Sequence, residues 1–301
     1  MLWTEKYRPN KLSDVLGQEH FVMDAEHWVI DKQCPNLLLY GNSGTGKTGA
    51  AVALAKALLG EDSTSNFFEI NASDDRRLET VRTKIKSIAQ DSAIGDVPFR
   101  MVLLDEMDGM TNDAQNALKR LMERYESNIR FIITCNNRNK IIYALQSRCA
   151  NYFFKNLTFE VIEEAIVKIL EAENYPVPEE IRSFIYAFNG DMRRTLTELQ
   201  ASVASGIRLT TQIEKGLKKY EQITMNILNN NPNEALKNLH NLIYEGISTK
   251  EICVGLHDYI ISSEMDSNKK LKFLRVIGEG EWRSHNMTPK LLVSWMVGNL
   301  Q

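Results

Sequence analysis

The segment Gly41-Asn42-Ser43-Gly44-Thr45-Gly46-Lys47-Thr48 constrains the fold of this chain more tightly than any other. It fits G-x-x-x-x-G-K-[ST] and lies between a short apolar run, Asn36 to Tyr40, and a stretch of strong helix formers, Ala50 to Leu59. Strand, glycine-rich turn and helix in that order form the context in which this motif cradles phosphates. The glycines let the backbone curl so that its N–H groups converge on phosphate oxygens, and the helix start adds the positive end of its dipole. Lys47 then reaches the β and γ phosphates, and the Thr48 hydroxyl binds Mg²⁺.

Further apolar runs follow at Phe67 to Ile70, Arg100 to Leu104, Arg130 to Thr134 and Ala150 to Phe154, with helical patterns such as Asp113 to Tyr125 between them. This alternation predicts an α/β domain with a largely parallel sheet, which holds its ligand at the carboxyl ends of the strands. The run Met101 to Leu104 ends in Asp105-Glu106-Met107-Asp108, which places carboxylates at such an end. Asp105 supports the Mg²⁺ through its water shell. Glu106 accepts a proton from, and orients, the water that attacks the γ phosphate. A mere nucleotide holder has no need of Glu106, so its presence favours an ATPase.

After about Asn156 the strand signals stop, and helical periodicity takes over in Phe159 to Ala172, Glu179 to Phe188 and Met192 to Val203. The polar stretch Ser205 to Lys219, with Gly206 and Gly216, reads as a second boundary before helices at Asn233 to Tyr244, Lys250 to Ser262 and Pro289 to Leu300. A chain of 301 residues accommodates two or three such domains.

The net charge of -3, from 36 Lys and Arg against 39 Asp and Glu, excludes a protein that holds nucleic acid by bulk charge. Any such contact falls to local basic surfaces. Arg82 and Lys86 share a helical face while Lys84 points elsewhere, and Lys119, Arg120 and Arg124 form a second cluster. The four cysteines, Cys34, Cys135, Cys149 and Cys253, contain no C-x-x-C pair, which argues against a disulfide framework or zinc site and for a reducing compartment. Cys149 reads as a buried packing residue, and Trp282, Trp295 and Met296 as packing of the carboxyl-terminal helices. The apolar run Leu291 to Val297 is far below membrane-spanning length, so no membrane partner and a cytoplasmic or nuclear location are expected.

Beyond these separate signals, the ordered set Trp3-x-x-Lys6-Tyr7-Arg8-Pro9, Asp14-Val15-Leu16-Gly17-Gln18-Glu19, Asn71-Ala72-Ser73-Asp74-Asp75-Arg76, Asp105-Glu106-x-Asp108, Gln146-Ser147-Arg148-Cys149 and Gly190-Asp191-Met192-Arg193-Arg194 resembles the small-subunit family of replication factor C. These are AAA+ sliding-clamp loaders of archaea and eukaryotes, with phage relatives. The resemblance implies an AAA+ P-loop NTPase domain over residues 1–156, a helical lid over 157–217 and an all-α collar over 218–301. It implies that Tyr7, Arg8, Val15 and Gly17 line the adenine pocket, and that Asn42, Ser43, Gly44, Thr45, Gly46, Lys47 and Thr48 hold the phosphates of ATP with Mg²⁺. Asn136, in Thr134-Cys135-Asn136-Asn137, matches the sensor that bonds the γ phosphate or the attacking water, and Arg193 matches a second sensor on the lid. Arg148 matches an arginine finger that serves the neighbouring subunit's site, where a planar guanidinium stabilises charge on a transferring phosphoryl group.

The implied partners are other clamp-loader subunits in a pentameric ring with a large subunit, a sliding clamp, and primer-template DNA, whose backbone the helices of Arg82, Lys84, Lys86, Lys119 and Arg120 would track. Family behaviour also suggests that Arg120 relays DNA contact to the metal-binding acids and that Asn71 holds Glu106 inactive until DNA arrives. Asn42-Ser43 departs from the family, many of whose members carry two prolines there, and Glu281-Trp282-Arg283-Ser284-His285 only loosely resembles the family collar. Two rival readings are a non-catalytic nucleotide-binding scaffold in such a ring and a branch-migration motor. The motor predicts a carboxyl-terminal winged helix, and the segment after Lys219 carries no strand-pair signal.

Overall fold

The computed structural model describes residues 1–72, 78–95, 97–178, 181–186, 188, 191–205, 210–284 and 286–300. Ser73, Asp74, Asp75, Arg76, Glu179, Gly190, Gly206 and His285, named above, lie outside them. The chain divides into two compact units, Met1–Ile207 and Arg208–Gln301.

The first unit is built on five strands, β1 (Leu37–Tyr40), β2 (Phe67–Asn71), β3 (Arg100–Asp105), β4 (Ile129–Cys135) and β5 (Ala150–Phe153). Every pairing among them is parallel, in the order β2-β3-β4-β1-β5. Parallel neighbours need crossovers, and the helices that make them cover both faces, so the inner strands are apolar throughout. Side chains alternate between those faces with the two-residue period of a strand. Leu37, Leu39, Met101, Leu103 and Ile132 pack with Phe21, Ala25, Ala50 and Leu54, from the helices Glu19–Asp31 and Lys47–Leu59. Leu38, Val102, Leu104, Phe131 and Ile133 pack on the opposite face with Val81, Ile85, Ala114 and Leu118, from Leu78–Gln90 and Asn112–Arg124. The helices Phe159–Ala172, Ile181–Tyr186 and Met192–Ser205 follow β5.

This order has one consequence for chemistry. The sequence-distant β3, β4 and β1 are neighbours, so the segments leaving them at Asp105, Cys135 and Tyr40 emerge side by side. The loop with the glycines, the acidic pair and Asn136 thereby share one edge of the sheet.

The second unit is helical, with Thr210–Leu228, Pro232–Tyr244, Thr249–Ser262, Ser267–Arg283 and Pro289–Leu300 around Leu239, Leu256, Ile260, Phe273, Leu292 and Val293. Ser248 and Glu251 form a reciprocal capping box at one helix start, and Asp266 caps the next. The division between the units falls inside the stretch 205–219 read as a boundary, and from Thr210 the chain is helical, since Lys, Glu and Gln are good helix formers. Two readings of the sequence are corrected here. Trp282 is 71% exposed, since Phe273, Val276, Ile277 and Gly280 set the buried stripe of its helix, while Met296 is buried and Trp295 packs against the core. Cys149 is half-buried rather than buried. Among the described residues no helix is long and apolar enough to cross a membrane.

The sheet core is sensitive to volume. Leu103, on the inner strand β3, has no exposed surface; Leu103→Ala is expected to cost about 2–5 kcal/mol, measured as an earlier denaturant midpoint of the first unit's unfolding.

Candidate nucleotide site

A cavity of about 330 Å³ opens at the carboxyl edge of the sheet. Lining it are Ser43, Gly44, Thr45, Gly46, Lys47 and Thr48 after β1, Asp105 and Glu106 after β3, and Thr134 to Asn136 at the end of β4. Tyr7, Arg8 and Val15 close one side, and Arg193 closes another with Met192 and Leu196. Thus residues from five regions that sequence reading assigned to a nucleotide converge on one space.

The loop backbone takes shapes that demand glycine. Gly44 and Gly46 have φ of +76° and +91°, in the left-handed region that other residues enter at a cost. At Gly44 a Cβ would also lie 2.1 Å from the Asp191 carboxylate, so the helical segment rests directly on the loop. Lys47 Nζ is nearly buried and donates to the carbonyls of Gly41 and Asn42 at 2.8 and 2.7 Å and to Asn136 Oδ1 at 3.0 Å. Burial lowers its pKa, against which Cys135, Asp105 and Asp108 favour the charged form. An ammonium held this way at the mouth of a glycine loop is suited to phosphate oxygens.

Asp105 organises the acidic side. Its carboxylate accepts from Thr48 Oγ1 at 3.1 and 3.3 Å and from Thr134 Oγ1. Thr134 uses its hydroxyl fully, because its oxygen also accepts the Glu106 backbone N–H at 3.2 Å. Glu106 itself sits at φ +57°, a conformation uncommon for a residue with a side chain and one concentrated at functional sites. The Thr48 hydroxyl and the Asp105 carboxylate are in contact and face the cavity, which fits a divalent cation. Among the described residues no group of three or more His, Cys, Asp or Glu is placed to hold a metal, so a cation here would draw its other ligands from water and phosphate, as Mg²⁺ does.

Some predicted residues stand elsewhere. Gly17 is not on the cavity wall: it turns the chain at φ +65°, and a Cβ there would lie 2.8 Å from Leu157, whose own side chain does line the cavity. Asn42 contributes its carbonyl to Lys47, while its side-chain amide donates to Asn156 at 2.9 Å. Arg148 lies outside its own chain's cavity, paired with Glu123 and donating to the Ala144 carbonyl at 2.8 Å. Arg82, Lys84, Lys119 and Arg120 are on helices that cover the same sheet face, Lys86 with them, and none lines the cavity. Asn71 pairs in register with Asp105 across β2 and β3.

Sequence reading missed Thr134, Glu69 and Asp191. Thr134 was visible as the one hydroxyl in an apolar strand; Glu69, which lines the cavity and lies 3.6 Å from Arg8, carried no signal.

Fold and site together define an AAA ATPase. The model of the ATPase family associated with various cellular activities (AAA) matches residues 37–157, and that of the replication factor C C-terminal domain matches residues 217–287. Replication factor C small subunits of Methanococcus maripaludis and Archaeoglobus fulgidus are each 38% identical to the chain, over 289 and 290 residues, covering 93% and 94% of it and 92% and 91% of theirs. The chain belongs to the replication factor C small-subunit family and is a clamp-loader ATPase subunit, one that works within a multi-subunit complex. A solved structure of the Thermotoga maritima RuvB Holliday junction branch migration motor shares the fold at a TM-score of 0.56 and 16% identity, over 72% of this chain and 79% of that one.

Because Thr134 serves both acids, Thr134→Val is expected to lower turnover at saturating ATP about tenfold or more, while nucleotide affinity, measured by equilibrium binding, changes far less.

Proposed function

We propose that the cavity binds ATP with Mg²⁺, the cation held by Thr48 and Asp105 and the triphosphate by the loop amides and Lys47. The observation that carries this reading is the convergence of Lys47, the Thr48–Asp105 pair and Asn136 on one cavity. Mg²⁺, when bound, offsets charge on the β and γ phosphates. The chain's own residues do the rest. Lys47 exchanges its carbonyl partners for phosphate oxygens. Asn136, already bonded to Lys47, lies where it reaches the γ phosphate or the attacking water, and Glu106 takes that water's proton. Arg193 approaches the nucleotide from the helical side, and Tyr7, Arg8 and Val15 receive the base.

Arg148 is the trans-acting residue of this scheme. Its place outside its own cavity and its partly exposed side chain suit a guanidinium that completes the neighbouring subunit's site. ATP binding then closes subunits of a pentameric ring, including a large subunit, around an open sliding clamp. Primer-template DNA triggers hydrolysis and releases the clamp, the basic side chains Arg82, Lys84, Lys86, Lys119 and Arg120 following the DNA backbone. On this reading 1–156 is the ATPase domain, 157–217 the lid and 218–301 the collar. The motor alternative is the weaker one, because among the described residues the second unit is made of helices with no strand of a winged helix. Intact Lys47, Glu106 and Arg148 likewise weigh against a non-catalytic scaffold.

Steady-state ATP hydrolysis, measured for the chain alone and with clamp, primed DNA, both, and its partner subunits, tests the proposal. Clamp and primed DNA together are expected to stimulate turnover beyond either alone. Glu106→Gln should reduce that turnover by about 10² or more while ATP binding persists, and Arg148→Ala should remove the stimulated component with each chain's own ATP binding unchanged. Turnover indifferent to clamp in every combination would remove the clamp-loading cycle.

A further inference from the structure

The cavity's amino-terminal wall is held from two sides. Thr4, Glu5, Tyr7, Arg8 and Pro9 line it, yet three residues at the wall's start attach to the segment after β5. The Trp3 backbone N–H donates to Gln200 Oε1 at 2.9 Å, and the Trp3 ring, 5% exposed, lies 6.2 Å from that of Tyr175. Lys6 Nζ and Tyr7 Oη both donate to Glu173 Oε1, at 2.6 and 2.7 Å. The wall's other end attaches to the sheet. Arg8 faces Glu69 of β2 at 3.6 Å, and the Pro9 ring lies so close to Gly49 that a Cβ there would come within 2.9 Å of it.

We propose that Glu173 is a positioning residue of the nucleotide pocket: through Tyr7 and Lys6 it fixes the wall that receives the base end of the nucleotide, and it ties that wall to the end of the helix Phe159–Ala172. The inference rests on the reading that this cavity holds the nucleotide. Charge-assisted bonds are the strong ones, and a single carboxylate oxygen taking both a phenol and an ammonium orients two adjacent side chains at once. Hydrogen bonding to Lys6 and then to Tyr7 holds the Glu173 carboxyl below its usual range, which keeps it the acceptor. With Tyr7 released the base loses a preset wall and must order one on binding, an entropy cost paid at the moment of association.

The test is a double-mutant cycle on the full chain, with mant-ATP and Mg²⁺ as the probe read by equilibrium fluorescence, and with steady-state KM and kcat as second readouts. Tyr7→Phe and Glu173→Gln are each expected to raise the dissociation constant about three- to tenfold, and the double variant no further than the weaker-binding single variant. KM should rise with kcat at saturating ATP little changed, a split that general loss of folding does not produce. Glu173→Asp, which keeps the charge, should recover part of the affinity. Additive effects of the two substitutions, or unchanged affinity in Glu173→Gln, would overturn the proposal. Lys47→Ala separates the two levels of the argument. If it abolishes mant-ATP binding while the cycle is additive, the pocket stands and Glu173's role fails; if it leaves binding intact, the pocket reading falls and takes this inference with it.

Discussion

The site depends on strand adjacency. Backbone pairing of β3 to β4 and of β4 to β1 brings together chain ends that are far apart in sequence, and nothing but this parallel register places Thr48 against Asp105 or Lys47 against Asn136. In a sheet covered on both faces the register is fixed by alternation, since a one-residue slip would exchange the side chains presented to each face. Leu103 and Leu104 face opposite cores, so a slip would carry each into the space shaped for the other. The chemistry at the edge is in this sense specified by packing well inside the sheet.

A second constraint is electrostatic. Lys47 is close to buried, and an ammonium removed from water costs several kcal/mol unless it is well paired. Its two carbonyls and one amide oxygen meet the need for hydrogen bonds without supplying a full counter-charge, and nearby Asp105 and Asp108 supply part of the balance. A site that solvates a cation with neutral oxygens and keeps its carboxylates a little apart retains affinity for an anion. That is what separates a phosphate pocket from an internal salt bridge. The left-handed Glu106 belongs to the same design, because its backbone is held by the Thr134 hydroxyl while its side chain remains at the exposed mouth.

Much of this was legible in the sequence. The five strands fall where short apolar runs stop at polar residues, and the phosphate loop and the acidic pair lie at two of those stops. Arg148 and Arg193 could be singled out only through the ordered family motifs, for a lone arginine after a strand or in a helix carries no pattern of its own. What stayed hidden depends on three-dimensional proximity. Glu69 is a polar residue within a short strand, Asp191 looks like an ordinary helix cap, and Glu173 follows a helix whose apolar stripe says nothing about its end. Trp282 misled because a large aromatic suggests burial, whereas the phase of its helix was already set by Phe273 and Ile277. The stretch 205–219 marked the boundary but not the helix that begins within it, since polar composition alone does not distinguish a loop from a polar helix.

The attachment of the amino-terminal segment also bears on how the unit comes into being. Tyr7 and Trp3 meet partners 166 and 197 residues further along the chain. They leave the ribosome long before the residues they meet, and they wait for almost the whole first unit before their positions exist. Contacts of such long separation pay their loop-closure entropy early and are rewarded late. The sheet and its glycine loop can therefore assemble before the cavity has its amino-terminal wall, and a nascent chain that ends short of Gln200 presents the loop without that closure. Nucleotide stabilises the state it binds, so its contribution arrives with completion of the unit and selects finished subunits over partial ones.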